Sequence, residues 1–189
     1  MIVLLALYLG ALALNYGIDV VRKVIEPKLS INEPDLYMQD ASISRINTAG
    51  RKTSVISAAR FTHYPLTDVT TLQAPMIQLL NVGTQSPWNI SSTKGRLLGV
   101  SEYREEAVEL WETVTAQKTD PKGATTTLTT DALSVYPDQN LAESDSVVTI
   151  LTAHTTTTAA GVRALFDQDR FMFRSNAEHR VVTVVDVRR

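Results

Sequence analysis

Side chains capable of covalent chemistry are few and scattered in this sequence. His63, His154 and His179 are its three imidazoles, and none has further ligands at the spacing a metal site needs. Glu105-Glu106 and the Asp167/Asp169 pair are neighbouring carboxylates. Both fall in polar turns or on a wet face, where solvated charge rather than acid–base work is expected. There is no cysteine, which removes disulfides, thiolate ligands and cysteine nucleophiles. No Gly-x-Ser-x-Gly elbow and no glycine-rich phosphate loop occurs. The sequence therefore predicts no catalytic residue, no metal and no cofactor.

What it does carry is non-covalent chemistry. Ile56, Leu72, Ile77, Leu79, Trp88, Ile90, Leu110, Val114, Leu128, Val148 and Ile150 lie in runs where apolar and polar residues alternate. That period of two places apolar side chains on one face of a sheet. Such a face can take up an apolar ligand at about 25 cal/mol per Å² buried, with no demand for hydrogen-bond specificity. The same residues would equally fill a closed core, and composition does not separate the two.

The elements that must position these residues recur along the chain. Residues 57–65 (SAARFTHYP) are echoed by residues 129–137 (TTDALSVYP), and more loosely by residues 92–99 and 158–166. Arg60, Gly95, Ala132 and Gly161 mark equivalent places, about 30–37 residues apart, the period of a repeated supersecondary unit. A second strand-like run follows each copy, so one unit reads strand, turn, strand. Asn47 to Gly50, Pro65 to Asp68, Asp120 to Gly123 and Pro137 to Asn140 are the turns. Pro75 places its strand at an edge or a bulge. Residues 101–109 are ambiguous: the glutamates favour helix, and alternation favours a strand from about Val108. Threonine is frequent in the strand-like runs, as suits the wet face of a sheet.

Hydrophobic residues make up 44% of the 189 residues and charged ones 20%, enough apolar content to bury a core. A net charge of −2 supplies no footprint for nucleic acid. Residues 2–21 are almost unbroken in apolarity and as a helix would reach about 30 Å, one hydrocarbon thickness. A membrane-spanning anchor over residues 1–25 is the expectation. A cleaved signal peptide or a buried core helix are the alternatives. No basic residue precedes the run, and Arg22 and Lys23 follow it, against the usual orientation signal. Asn15 and Asp19 share a helix face that would sit better against other transmembrane helices than in lipid. Residues 26–34, with two prolines, read as a linker, and residues 35–189 as one β-domain.

Taken in order, residues 33–40 (EPDLYMQD), Gly50, residues 58–65, residues 72–75 (LQAP), Pro87-Trp88, residues 91–95 and residues 129–132 (TTDA) resemble the LptC family, across nearly the whole chain. The resemblance implies an all-β fold, an open, twisted, β-jellyroll-like sheet pair, behind one N-terminal transmembrane helix. It implies a single-pass inner-membrane protein whose domain lies in the periplasm and whose groove carries lipopolysaccharide. It implies partners: the ABC permease and ATPase of the export complex (LptB, LptF and LptG) at one end and the soluble bridge protein LptA at the other. Gly50 then falls at a family hairpin glycine and Leu72 at a groove position. The missing basic residues at the amino terminus depart from the family; either the start is truncated or partners set the orientation.

The physics of such a sheet runs parallel. Unpaired edge N–H and C=O groups are a hazard that becomes a joint when another domain continues the sheet. Val181, Val182, Val184 and Val185 are the expected outgoing edge, although a central strand would look the same in sequence. The expected function is a membrane-anchored, non-enzymatic scaffold that accepts lipopolysaccharide and passes it along a β-groove. A secreted bridge subunit, and an envelope domain that binds no lipid, are the alternatives.

Overall fold

The computed structural model describes residues 33–80 and 86–186. The expected anchor, nearly all of the linker, and the partner residues Asn15 and Asp19 lie outside them. Among the described residues no helix is long and apolar enough to cross a membrane.

From Pro34 onward the described chain is one compact, all-β unit. Its strands are β1 Leu36–Ile46, β2 Lys52–Tyr64, β3 Val69–Gln73, β4 Met76–Leu79, β5 Trp88–Ser91, β6 Lys94–Leu98 and β7 Ala107–Thr119. They continue as β8 Thr125–Tyr136, β9 Leu141–Ser144, β10 Val148–Leu151, β11 Thr155–Ala159, β12 Gly161–Leu165, β13 Arg170–Arg174 and β14 Val182–Val185. A short 3-10 turn, Pro137–Gln139, joins β8 to β9. All fourteen strands belong to one antiparallel sheet.

The sheet is creased. β2 pairs with β3 through residues 60–64 and with β4 through residues 54–57. β7 pairs with β6 through residues 107–111 and with β5 through residues 115–117. β8 pairs with β9 near one end and β10 near the other, and β12 and β11 continue that division. Long strands thus run through both halves of the sheet, and short ones are single strands cut in two. The cut passes through Asp40, Ala74-Pro75, Ser92-Thr93, Glu112-Thr113 and Ala160.

Local chemistry makes the crease. Pro75 lacks the N–H a ladder needs, and Ala74 turns to a φ of 48° while its N–H goes to Thr93 O at 2.9 Å. Glu112 and Thr113, at φ of 63° and 61°, oppose the single residue Asp131, a two-against-one bulge that bends the strand. Gly95 and Gly161 lie beside the crease because strands approach there too closely for a side chain. A Cβ on Gly95 would meet Glu109 O at 2.9 Å, and one on Gly161 would meet Ser144 O at 2.7 Å.

The two halves face each other over one apolar cluster. This is consistent with a jellyroll-like arrangement, built as one folded sheet whose neighbours follow chain order. Residues 101–109 contain no helix: Ser101 and Arg104 form a bridge and β7 starts at Ala107. Packing on Leu98 and Val135 overrides the helical preference of the glutamates. The valine-rich terminal strand is shorter than its sequence implies and comprises only Val182–Val185 among the described residues.

Candidate functional site

The interior is built in cross-strand rows. In the half containing β4 and β5, one row reads Ile43, Ile56, Ile77, Ile90, Ala116, Leu128, Ile150, Thr157, Thr183, each opposite the next. In the other half a row reads Met38, Phe61, Leu72, Gly95, Leu110, Leu133. Beside it lie Val108, Val135, Ala142, Ala164 and Phe171. Directly opposed side chains on one face are the contacts that hold a sheet surface together.

Every apolar position singled out by the alternation is buried: Ile56, Leu72, Ile77, Leu79, Trp88, Ile90, Leu110, Val114, Leu128, Val148 and Ile150 all join this cluster. Most belong to one half; Leu72 and Leu110 belong to the other. Sequence reasoning missed Phe61, Val108, Leu133, Val135, Val162 and Phe166, which are equally buried. Their signal was present but out of phase. Ile56 and Phe61, five residues apart on one strand, both face inward, because the alternation slips at the crease.

Opposite the crease the two halves meet along a mouth, and contacts cross it. Trp88 of β5 packs on Phe166, just beyond β12, with ring centroids 4.7 Å apart, and edge-on to Phe171 of β13 at 5.9 Å. Lys118 of β7 donates to both carboxylate oxygens of Asp169 at 2.7 Å, with only 12% of its side chain exposed. Arg45 of β1 reaches from one half to Glu106 and Asp138 at the rim of the other, the second contact at 3.2 Å. Glu106 is thus part of a half-buried ion pair, not the solvated charge its neighbourhood implies; Glu105 accepts from the Gln139 amide at 2.5 Å. Four buried polar atoms along this rim have no partner among the described residues: Arg45 Nε, Ser54 Oγ, Trp88 Nε1 and Glu106 Oε1. Arg45, Ser54, Leu79 and Trp88 stand opposite one another in sequence across β1, β2, β4 and β5.

A cavity of about 470 Å³ opens at the mouth beside β11 and β13. Trp88, Ile150, Phe171 and Phe173 give it an apolar floor, with Lys118, His154, Thr157 and Asp169 around them. Its size lies in the range of small-ligand pockets, and its floor is continuous with the interior cluster.

The histidines do not converge. His154 lies at this cavity and His179 is exposed between β13 and β14. His63 contacts two carboxylates, Asp35 at 2.7 Å and Asp68 at 3.4 Å. The hydrogen bond to Asp35 holds its imidazolium above the usual histidine range, opposed by some desolvation and helped by Asp68. Among the described residues no three metal-ligating side chains cluster.

The sheet ends in free edges. Among the described strands β1 pairs only with β2, β13 only with β12 and β14 only with β11. Gly50 closes the β1–β2 hairpin at a φ of 73°, its N–H bonded to Asn47 O at 2.9 Å. Val181, Val182, Val184 and Val185 are all exposed; by register, Val182 and Val184 point to the outer face and Val185 to the inner one.

Fold and interior together define a class: one antiparallel sheet creased over an apolar filling, with both edges unpaired among the described residues. The chain belongs to the LptC-related family of lipopolysaccharide assembly, whose model matches residues 1–181. The family places it in lipopolysaccharide transport, as a transport scaffold. No curated protein matches the chain.

Proposed function

We propose that this chain is a membrane-anchored carrier that holds the acyl chains of lipopolysaccharide between the two halves of its sheet. It accepts the lipid from an inner-membrane ABC permease and passes it to a periplasmic bridge protein. One observation carries the reading: the apolar interior runs without interruption from β1 to β13 and reaches a cavity at the mouth, while among the described residues the edges at both ends are unpaired. Apolar surface gives affinity for acyl chains of any length, and free edges let a neighbour extend the trough. ATP hydrolysis belongs to the permease complex. Residues 1–25 serve as a single-pass anchor, with Asn15 and Asp19 facing partner helices, and the β-domain stands in the periplasm.

Because the interior is filled as it stands, lipid binding requires the mouth to part, with Trp88, Leu72 and their neighbours exchanging contacts with one another for contacts with lipid. The test is a photoreactive phenylalanine analogue at Phe171, on the cavity floor, and a second at Leu72, in the interior. Both are expected to capture lipopolysaccharide in envelopes with an active exporter. Capture at neither position, from a folded protein, would leave the alternative of a scaffold domain that binds no lipid.

A further inference from the structure

The chain from Arg174 to Asp186 differs from the described chain before it: every residue in it is exposed. β14 lies within this stretch. Its inward-facing residues, Thr183 and Val185, are as uncovered as its outward-facing ones. β13, the edge strand of the other half, is different, since Phe171 and Phe173 pack against the core. The contacts of β14 include its four-residue register on β11, a hydrogen bond between Thr157 Oγ1 and Thr183 Oγ1 at 2.9 Å, and the Asp186 N–H on His154 O at 2.8 Å. Nothing apolar on it is buried, so its attachment lacks the largest stabilising contribution a strand usually has.

The strand beneath it is a ready-made docking edge. β11 begins Thr155-Thr156-Thr157-Thr158, β-branched throughout, and its inner face continues the interior row through Thr157. The match to the family stops at residue 181, one residue before β14 begins.

We propose that β14 is a resident occupant of the β11 edge, and that an incoming extended strand of a partner docks on β11 by displacing it. The interaction surface is then the backbone of residues 155–158, beside the cavity lined by Thr155, Thr157 and His154, not the outer edge of β14. Displacement costs little because β14 gives up backbone hydrogen bonds that the incoming strand replaces one for one. It also brings the partner's inner face directly against Thr157 and the cavity, so the trough continues without an exposed strand between the two domains. The inference rests on the reading that a bridge protein joins this end of the sheet.

The two modes of joining make opposite forecasts, and the test uses the full chain with the bridge protein of the same export system. In the first arm the chain is truncated after Val181. Displacement predicts tighter binding, by about tenfold or more, because the competitor that keeps most of the edge occupied is gone. Addition to the outer edge of β14 predicts loss of binding, and that result would overturn the proposal. In the second arm Thr157→Cys and Thr183→Cys are combined. The residues are directly opposed, and the natural chain has no cysteine to interfere. Oxidation is expected to abolish bridge binding and a reductant to restore it; equal binding in both states overturns displacement while leaving the carrier function intact. No bridge binding by the reduced, folded full-length chain would overturn the bridge reading and this inference together.

Discussion

Among the described residues β1 and β14 each present an unpaired row of backbone groups, yet they are held to the sheet by different means. β1 has eleven residues, and Met38, Ala41 and Ile43 on its inner face pack against the core. Arg45 extends from it across the mouth to Glu106 and Asp138, and Asp35, just before it, is bonded to His63. β14 has four residues and buries none. The backbone ladders are chemically alike, so the difference lies in the side chains. A hydrogen-bond ladder exchanges water for protein partners with a small net gain, whereas buried apolar groups and a shielded ion pair make an edge part of the fold. The N-terminal edge is a fixture and the C-terminal edge an attachment. A carrier that stays on one partner and hands over to another would use them in that way.

The sharpest way to break this comparison is to remove apolar contact from each edge in turn. Ile43→Ala should destabilise the domain by about 2–3 kcal/mol, somewhat below a fully buried isoleucine because Ile43 is half-buried. Urea denaturation followed by tryptophan fluorescence measures it. A cost under about 0.5 kcal/mol, the ordinary range for surface positions, would mean that β1 is no better anchored than β14.

Arg45→Met comes next. It leaves Glu106 half-buried without its cation and should cost about 1–3 kcal/mol, less than a fully buried pair because 25% of the Arg45 side chain is exposed. The double variant with Glu106→Gln should recover part of that loss. A double variant less stable than Arg45→Met would show that the two charges do not act as a pair.

His63 sharpens the comparison through pH. Its folded pKa lies above the ordinary 6.5, chiefly because protonated His63 bonds to Asp35. The stabilisation is therefore complete below about pH 6.5 and fades as pH rises through the higher folded value. Amide protection at the start of β1 should fall as pH rises above about 6.5, after correction for intrinsic exchange, and protection of β14 should not follow it. His63→Gln should remove the pH dependence; if it persists, another group clasps this end of β1.

The smallest effect belongs to the outer face of the attached edge. Val184→Ala should change stability by no more than about 0.5 kcal/mol, because 63% of Val184 is already exposed. A loss above 1 kcal/mol, on the order of a burial change, would show that β14 is integral after all.

Much of the fold was legible in the chain. The turns at Gly50, Asp120 to Gly123 and Pro137 to Asn140 lie where glycine, proline and Asx chemistry put them. The repeat was legible too, though its meaning was not. Arg60, Gly95, Ala132 and Gly161 each stand within two residues past the crease on their own strands, so the echo in sequence marks where the sheet bends. The crease also explains what alternation missed. A pattern of period two assumes one unbroken strand, and the slip between Ile56 and Phe61 puts half the interior out of phase. Arg45 with Glu106, and Lys118 with Asp169, are separated by long stretches of chain, and no local pattern announces a pair that exists only when the sheet closes. The terminal valines show the opposite limit: strong strand formers with nothing to cover them make a strand but not a core.

The central claim is that the two halves part to admit acyl chains, and a distance across the mouth tests it most directly. Lys122 and Asp167 are exposed turn residues on opposite sides of the mouth, and the absence of native cysteine allows a spin label at each through Lys122→Cys and Asp167→Cys. The account predicts that the distance between the labels, measured by double electron–electron resonance, lengthens by several ångström when lipopolysaccharide binds and returns when it leaves. Lipid binding at an unchanged distance, or no binding at all, would contradict it.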